Sequence, residues 1–321
     1  MNALELVSLL VAAAALFGWL SVRVLRAPIT IGTMLLTFIV SLVMANLGSL
    51  APGVHVWAER LAHQVDIGTL ILQGMLPLLL FAGAFLLDLD ELAREKLPVA
   101  LLAVGGTIAS FFAVGALMKL FGGAQASWVE CLLFGALISP TDPIAVLEML
   151  HRVGFSKSLQ AQLAGESLFN DGVGAVLFLT MLQIAAGHQP TIGHIAWFLL
   201  LQAGGAIVLG IAGAWLTSQL MCRVSSHQVD ILLSMMLALG GYVLAGAWHL
   251  SGPLEAVVAG IALRAFNRRL PEGRVADARV DQFWTLTDEM QNSLLFVLLG
   301  LGVMAVPLNL TTVRSGAAAI I

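Results

Sequence analysis

Gly165-Glu166-Ser167-Leu168-Phe169-Asn170-Asp171-Gly172 places carboxylates, an amide and a hydroxyl inside an apolar segment that runs from about Leu159 to Ala186. Such side chains are costly in hydrocarbon and by default mark an ion or proton pathway. Upstream, a second apolar segment is interrupted by Ser139-Pro140-Thr141-Asp142-Pro143, where prolines flank an acid and withhold backbone donors from the helix. Together the two stretches read as a device for holding a small cation at membrane depth.

The composition requires a membrane. Of 321 residues, 59% are hydrophobic and 11% charged, with a mean hydropathy of +0.96, too little polar material to cover a water-facing surface. An all-α polytopic membrane protein is expected, with lipid as its surroundings. The net charge of −4 is small and dispersed and no dense basic run occurs, which excludes a nucleic-acid partner. Cys131 and Cys222 lie in different apolar segments without metal-ligand spacing, so neither a disulfide nor a cysteine metal site is expected. Nothing in the pattern calls for a cofactor or for enzymatic chemistry.

Apolar stretches long enough to span a bilayer, about 20 residues each, fall at 3–22, 28–48, 67–87, 98–120, 128–150, 159–186, 194–221, 229–249, 252–266 and 284–306, and an eleventh begins near Val313. Of the 15 basic residues, all but Arg60, Lys119 and Arg314 fall in alternate loops, at Arg23 and Arg26, Arg94 and Lys96, Arg152 and Lys157, Arg223, and Arg264 to Arg279. Positive charge marks the cytoplasmic side, so the N-terminus is expected outside. The first segment has its charges after the apolar run and reads as a retained helix, not a secretory signal. Loop nine, from Arg264 to Asp281, reads as a solvated connector that sets topology.

Residues four apart share a helix face, so Ser167 and Asp171 point together and Glu166 and Asn170 share the neighbouring stripe. Counted from Leu159 at 1.5 Å per residue, Asp171 lies about 18 Å into a hydrocarbon layer of about 30 Å, near its middle. Pro140 and Pro143 free carbonyl oxygens of the preceding turn, and a broken helix presents these with two half-helix dipole ends. Asp142, Thr141 and Ser139 are further oxygen donors suited to a hard monovalent cation, and Asp171 completes the set from the adjacent helix.

The two motifs, with Leu76-Pro77-Leu78-Leu79-Leu80-Phe81, Ser251-Gly252-Pro253-Leu254 and Asn292-Ser293-Leu294-Leu295-Phe296, resemble the monovalent cation/proton antiporters, in the branch of bacterial NhaP proteins and animal NHE exchangers. The resemblance covers most of the chain. It implies an NhaA/NhaP-like fold of two inverted repeats with broken, crossed helices, in a dimer whose core part moves against a dimerisation part. On that footing residues 1–321 form one transmembrane antiporter domain, with a first repeat at about 1–186 and a second from about 194 onward. Asp171 would be the carboxylate that alternates between proton and Na⁺, with Asp142, Ser167 and Thr141 completing ion coordination. Asn170 takes the place typical of electroneutral one-for-one exchange, and Glu166, Pro140 and Pro143 organise the site. The expected location is the inner (plasma) membrane.

Two departures from the family pattern stand out. Ala82 follows Leu-Leu-Phe where many members have an acid, which leaves the choice among Na⁺, Li⁺ and K⁺ open. The arginine expected to pair with Glu166, and the second crossed helix, would lie beyond Ile321, so the sequence reads as lacking a C-terminal part. Elsewhere, Glu255 reads as an electrostatic cap on the ninth helix, Asp288 and Glu289 as first-turn acids of the tenth, and Gln73, Gln202 and His249 as interhelical partners. The rival functions are a K⁺/H⁺ antiporter of the same fold, an intramembrane aspartyl protease and a cation channel. A protease would carry Tyr-Asp and Gly-x-Gly-Asp motifs, but here the acids follow Thr141 and Asn170 and the single tyrosine is Tyr242. A channel would show filter loops.

Overall fold

A computed structural model describes residues 3–47, 67–121, 127–186, 192–224, 226–268 and 278–304, and among these the regular structure is entirely helical. The helices are α1 (Ala3–Leu20), α2 (Ile29–Leu47), α3 (Leu76–Leu86), α4 (Leu89–Arg94), α5 (Lys96–Ala100), α6 (Thr107–Phe121), α7 (Trp128–Ile138), α8 (Ile144–Val153), α9 (Lys157–Ala185), α10 (Ile192–Met221), α11 (His227–Ala247), α12 (Gly252–Asn267) and α13 (Ala278–Met304). Wider π-type turns extend α1 through Leu25, lead into α3 from Leu70 and join α5 to α6. Local chemistry sets several starts. Asp88 accepts from the Asp90 and Glu91 amides at 3.0 and 3.4 Å to begin α4, Ser127 and Glu130 form a reciprocal capping box on α7, and Ser251 caps α12 with Pro253 in the first turn.

Among the described residues five helices are long and apolar enough to cross a membrane: Val7–Leu25, Lys96–Leu120, Lys157–Ala185, Leu200–Met221 and His227–Ala247, with shorter apolar helices at Ile29–Met44, Leu70–Leu86 and Trp128–Ile138. Large apolar side chains such as Trp197, Val208 and Trp215 are exposed along them, as a lipid-facing surface requires. Helices occupy the expected ranges within a few residues, apart from the division of 128–150 into α7 and α8, and five of them meet the length and composition of a span. The tenth differs: α13 starts at Ala278, so its first-turn acid is Asp281 and not Asp288 or Glu289. Asp288 instead accepts from the Asn292 amide at 3.4 Å. The eleventh span and residues 269–277 of loop nine lie outside the described residues.

The chain forms two compact units, Met1–Met75 with Asp288–Ile321, and Leu76–Thr287. In the first, Leu10, Val297 and Leu298 are buried with Leu70, Ile71, Met75 and Leu294 against them. In the second, Phe81, Phe85, Leu237, Leu263 and Trp284 form the core. The Phe81 and Trp284 ring centroids are 4.7 Å apart, and the indole N–H of Trp284 donates to Ser234 at 3.1 Å, so its one polar atom is satisfied. A neighbouring cluster of Leu80, Ala84, Leu168, Ala256 and Val257 joins α3, α9 and α12, and it is this contact that holds the Asp171 helix in place. Loops expected on one side do meet. Arg268 pairs with Asp90 at 3.1 Å and Ser158 donates to Glu95 at 2.6 Å, while Arg264 and Asp281 pair across the two ends of loop nine at 2.6 Å.

Candidate functional site

The site begins where α7 stops. Pro140 and Pro143 have no N–H to give the carbonyls of Ala136 and Ser139, so the helix cannot continue through them. The Ser139 amide and hydroxyl both turn back to the Gly135 carbonyl. After the unwound residues 139–143, the Pro143 carbonyl accepts from the Leu147 amide at 2.7 Å and α8 begins. The break anticipated from the prolines is therefore present. Thr141 and Asp142 lie exposed within it.

Opposite runs α9, 29 residues long and about 43 Å from end to end. Asp171 is its midpoint. Glu166, Asn170 and Gly174 follow one another at helical spacing on a single stripe, and all three address the unwound segment. The Asn170 amide donates to the Thr141 hydroxyl at 2.8 Å and to Glu166 Oε1 at 2.9 Å. The Thr141 hydroxyl donates to the same Glu166 oxygen at 3.3 Å, closing a triangle of three side chains. One turn further, a Cβ at Gly174 would overlap the Pro140 ring, so glycine there lets the break seat against α9.

Glu166 and Asn170 thus share a face as expected from their spacing. Asn170 is 1% exposed, and its amide ties the break to α9. Ser167 and Asp171, on the adjacent stripe, are half-buried. Both Asp142 and Glu166 lie close enough for their charges to act on Asp171. Acids that act on one another in this way repel when ionised, and a proton or a monovalent cation is the kind of group that relieves such repulsion. Among the described residues no group of three or more His, Cys, Asp or Glu has metal-holding geometry; a site of this kind draws on hydroxyl and carbonyl oxygens besides its acids. Ala82 is fully buried in the apolar core beside Phe81 and Phe85. The seat of Pro140 on Gly174 was not foreseen; its signal was a glycine one turn beyond Asn170.

Residues 11–321 match the profile of the family described as sodium/hydrogen exchanger, transmembrane. The chain belongs to the sodium/hydrogen exchanger family. It is 37% identical over 312 residues to the Na⁺/H⁺ antiporter NhaP of Pseudomonas aeruginosa, covering 95% of this chain and 73% of that protein. Sodium/hydrogen exchanger 7 of Arabidopsis thaliana is 33% identical over 257 residues, which is 79% of this chain but 22% of the plant protein. The fold is similar to that of the sodium proton antiporter MjNhaP1 from Methanocaldococcus jannaschii, with a TM-score of 0.68 at 20% identity, covering 93% of this chain and 69% of that one. The membrane-spanning, all-helical architecture is therefore the one this exchanger family uses.

Proposed function

We propose that the protein exchanges a monovalent cation, Na⁺, for a proton across the membrane by competition at Asp171. The observation that carries this reading is the placement of Asp171 at the midpoint of α9, one residue beyond the Asn170 that is tied to the unwound 139–143 segment. In this reading Asp171 binds either a proton or the cation. Asp142, Ser167 and Thr141 complete the cation's oxygen shell, while Asn170, Glu166, Pro140 and Pro143 keep the shell assembled. The Thr141–Asn170–Glu166 triangle supports the organising roles. Moving a bare carboxylate through a low-dielectric gate costs about several kcal/mol, so only the loaded site crosses. Exchange then runs on ion gradients alone.

Residues 1–186 and 194 onward act as the two repeats of one antiporter domain, in a homodimer of the inner membrane with the N-terminus outside. The contacts among loops three, five and nine, which hold most of the basic residues, support that orientation. With Asn170 neutral, one cation replaces one proton on the same group and no net charge moves. In proteoliposomes under a Na⁺ gradient, proton movement is expected without sustained current, and Asp171→Asn should abolish it while the protein stays folded. Retained exchange in that variant would refute the role of Asp171. A sustained current that Asp171→Asn removes would promote Asp142 to a second carrier, because each charge crossing the field gains about 2.3 kcal/mol per 100 mV.

A further inference from the structure

Glu255 stands one residue beyond Leu254, which packs on Gly172 of α9, and so lies near the Asp171 turn without belonging to the triangle there. Its residue surface is 0% exposed, and neither carboxyl oxygen has a hydrogen-bond partner among the described residues. The sequence suggested an electrostatic cap, but Ser251 caps α12, accepting from the Leu254 amide at 3.4 Å, while the Glu255 side chain turns toward α11. A Cβ at Gly241 would overlap the Glu255 carboxyl, so the absence of a side chain at that position makes its seat. Behind it, Gly210 of α10 brings that helix against the Glu255 carbonyl.

The charged and titratable groups around it can be named helix by helix. α3 has none. α10 has none apart from His194, near its start. α11 contributes Tyr242, next to Gly241, while its Asp230 and His227 are at the opposite end of the helix. α9 contributes Asp171 and Glu166, both acids, and Arg264 of α12 is two and a half turns away, paired with Asp281. Among the described residues no cation is thus placed to neutralise the carboxyl. An ionised carboxylate buried in that way without a compensating partner is among the most expensive states a protein interior can hold. Packing of α11 against α12 over Gly241 therefore favours the acid over its anion.

We propose that Glu255 is a second intramembrane proton-binding site, apart from the ion site at Asp171, whose bound proton keeps α12 closed against α11 and whose release loosens that contact. Leu254 and Gly172 connect the contact to the middle of α9, so the state of Glu255 reaches the Asp171 turn and sets how exchange depends on pH. The link to exchange rests on the antiporter reading, whereas proton binding at Glu255 does not.

Two readouts separate them. Infrared difference spectra of the purified full-length protein, recorded across a pH titration, should show a protonated carboxyl C=O band that titrates, is lost in Glu255→Gln and persists in Asp171→Asn. In vesicles, Glu255→Gln, which mimics the protonated group permanently, should lose the alkaline limb of the wild-type exchange profile. Glu255→Met, similar in volume and without the acid, serves if the glutamine variant fails to fold. A wild-type spectrum with no such band would overturn the proposal and assign Glu255 to an ion pair. An unchanged pH profile with the band lost would overturn its coupling to transport. Absence of exchange in the wild type would refute the antiporter reading and leave the infrared result standing.

Discussion

The crossing of residues 139–143 with α9 and the seat of Glu255 on α11 solve one problem in opposite ways. Each brings a side chain against a neighbouring helix at a glycine: Gly174 receives the Pro140 ring and Gly241 the Glu255 carboxyl. At the crossing the Asn170 amide N–H, the Thr141 hydroxyl and Glu166 bond one another, although the Asn170 Oδ1 has no partner among the described residues, and Thr141 and Asp142 remain exposed. At the seat the carboxyl is fully buried and has no hydrogen-bond partner among the described residues. A polar group in a membrane helix can thus be kept by company or by enclosure. Company leaves it open to water, while enclosure ties its charge state to the packing around it.

The comparison breaks first at Asn170. Asn170→Ala removes the amide that serves both Thr141 and Glu166, leaving a partly buried carboxyl with one remaining contact. A stability loss of about 3 kcal/mol is expected, read as a clear drop in melting temperature in detergent, together with slower Na⁺-driven proton movement because the break is no longer held. A melting temperature equal to wild type would show that the triangle is not what anchors the segment. At the sealed seat, Gly241→Ala adds a methyl where only the carboxyl fits. Overpacking of this kind costs about 2 kcal/mol, and the combination with Glu255→Ala should recover most of it. If the double variant is no more stable than Gly241→Ala alone, the two residues are not packed as described.

Much of the crossing was legible because its causes are local. A proline lacks an N–H wherever it stands, so the break between Ile138 and Ile144 follows from Pro140 and Pro143 alone. Glu166 and Asn170 share a face by helical spacing. That both would meet Thr141 depends on a tertiary crossing that no spacing within one helix contains. The same limit explains the misreadings. Glu255 was read as a cap because sequence places it in a first turn, but whether such an acid faces water or a glycine is decided by the next helix. The start of α13 was placed late because Arg279 and Asp281 look like loop residues, yet Val280 and Trp284 bury on one face while Asp281 pairs with Arg264 on another. The short helix α4 went unseen for a similar reason, since charged residues at a membrane surface read as connector until a cap is recognised.

The smallest expected effect lies outside both regions and calibrates them. Asp88 caps α4, and the Glu91 backbone N–H, with that of Asp90 and the nearby Arg268, holds its carboxyl below the ordinary carboxylate value. A depressed carboxyl stabilises the folded state at pH above its unfolded value, and that contribution fades as the pH falls through the folded one. Because Asp88 is exposed, solvent and salt screen most of the charge contribution, and the pairing with Arg268 at 4.0 Å adds little. Asp88→Ala should therefore cost about 1 kcal/mol through the lost cap. Asp88→Asn, which still accepts from the amides, should retain most of that stability and remove its fading in acid. Neither substitution should alter the pH profile of exchange. A shift in that profile with Asp88→Asn would mean that the surface cap, and not the enclosed carboxyl at Glu255, reads the pH.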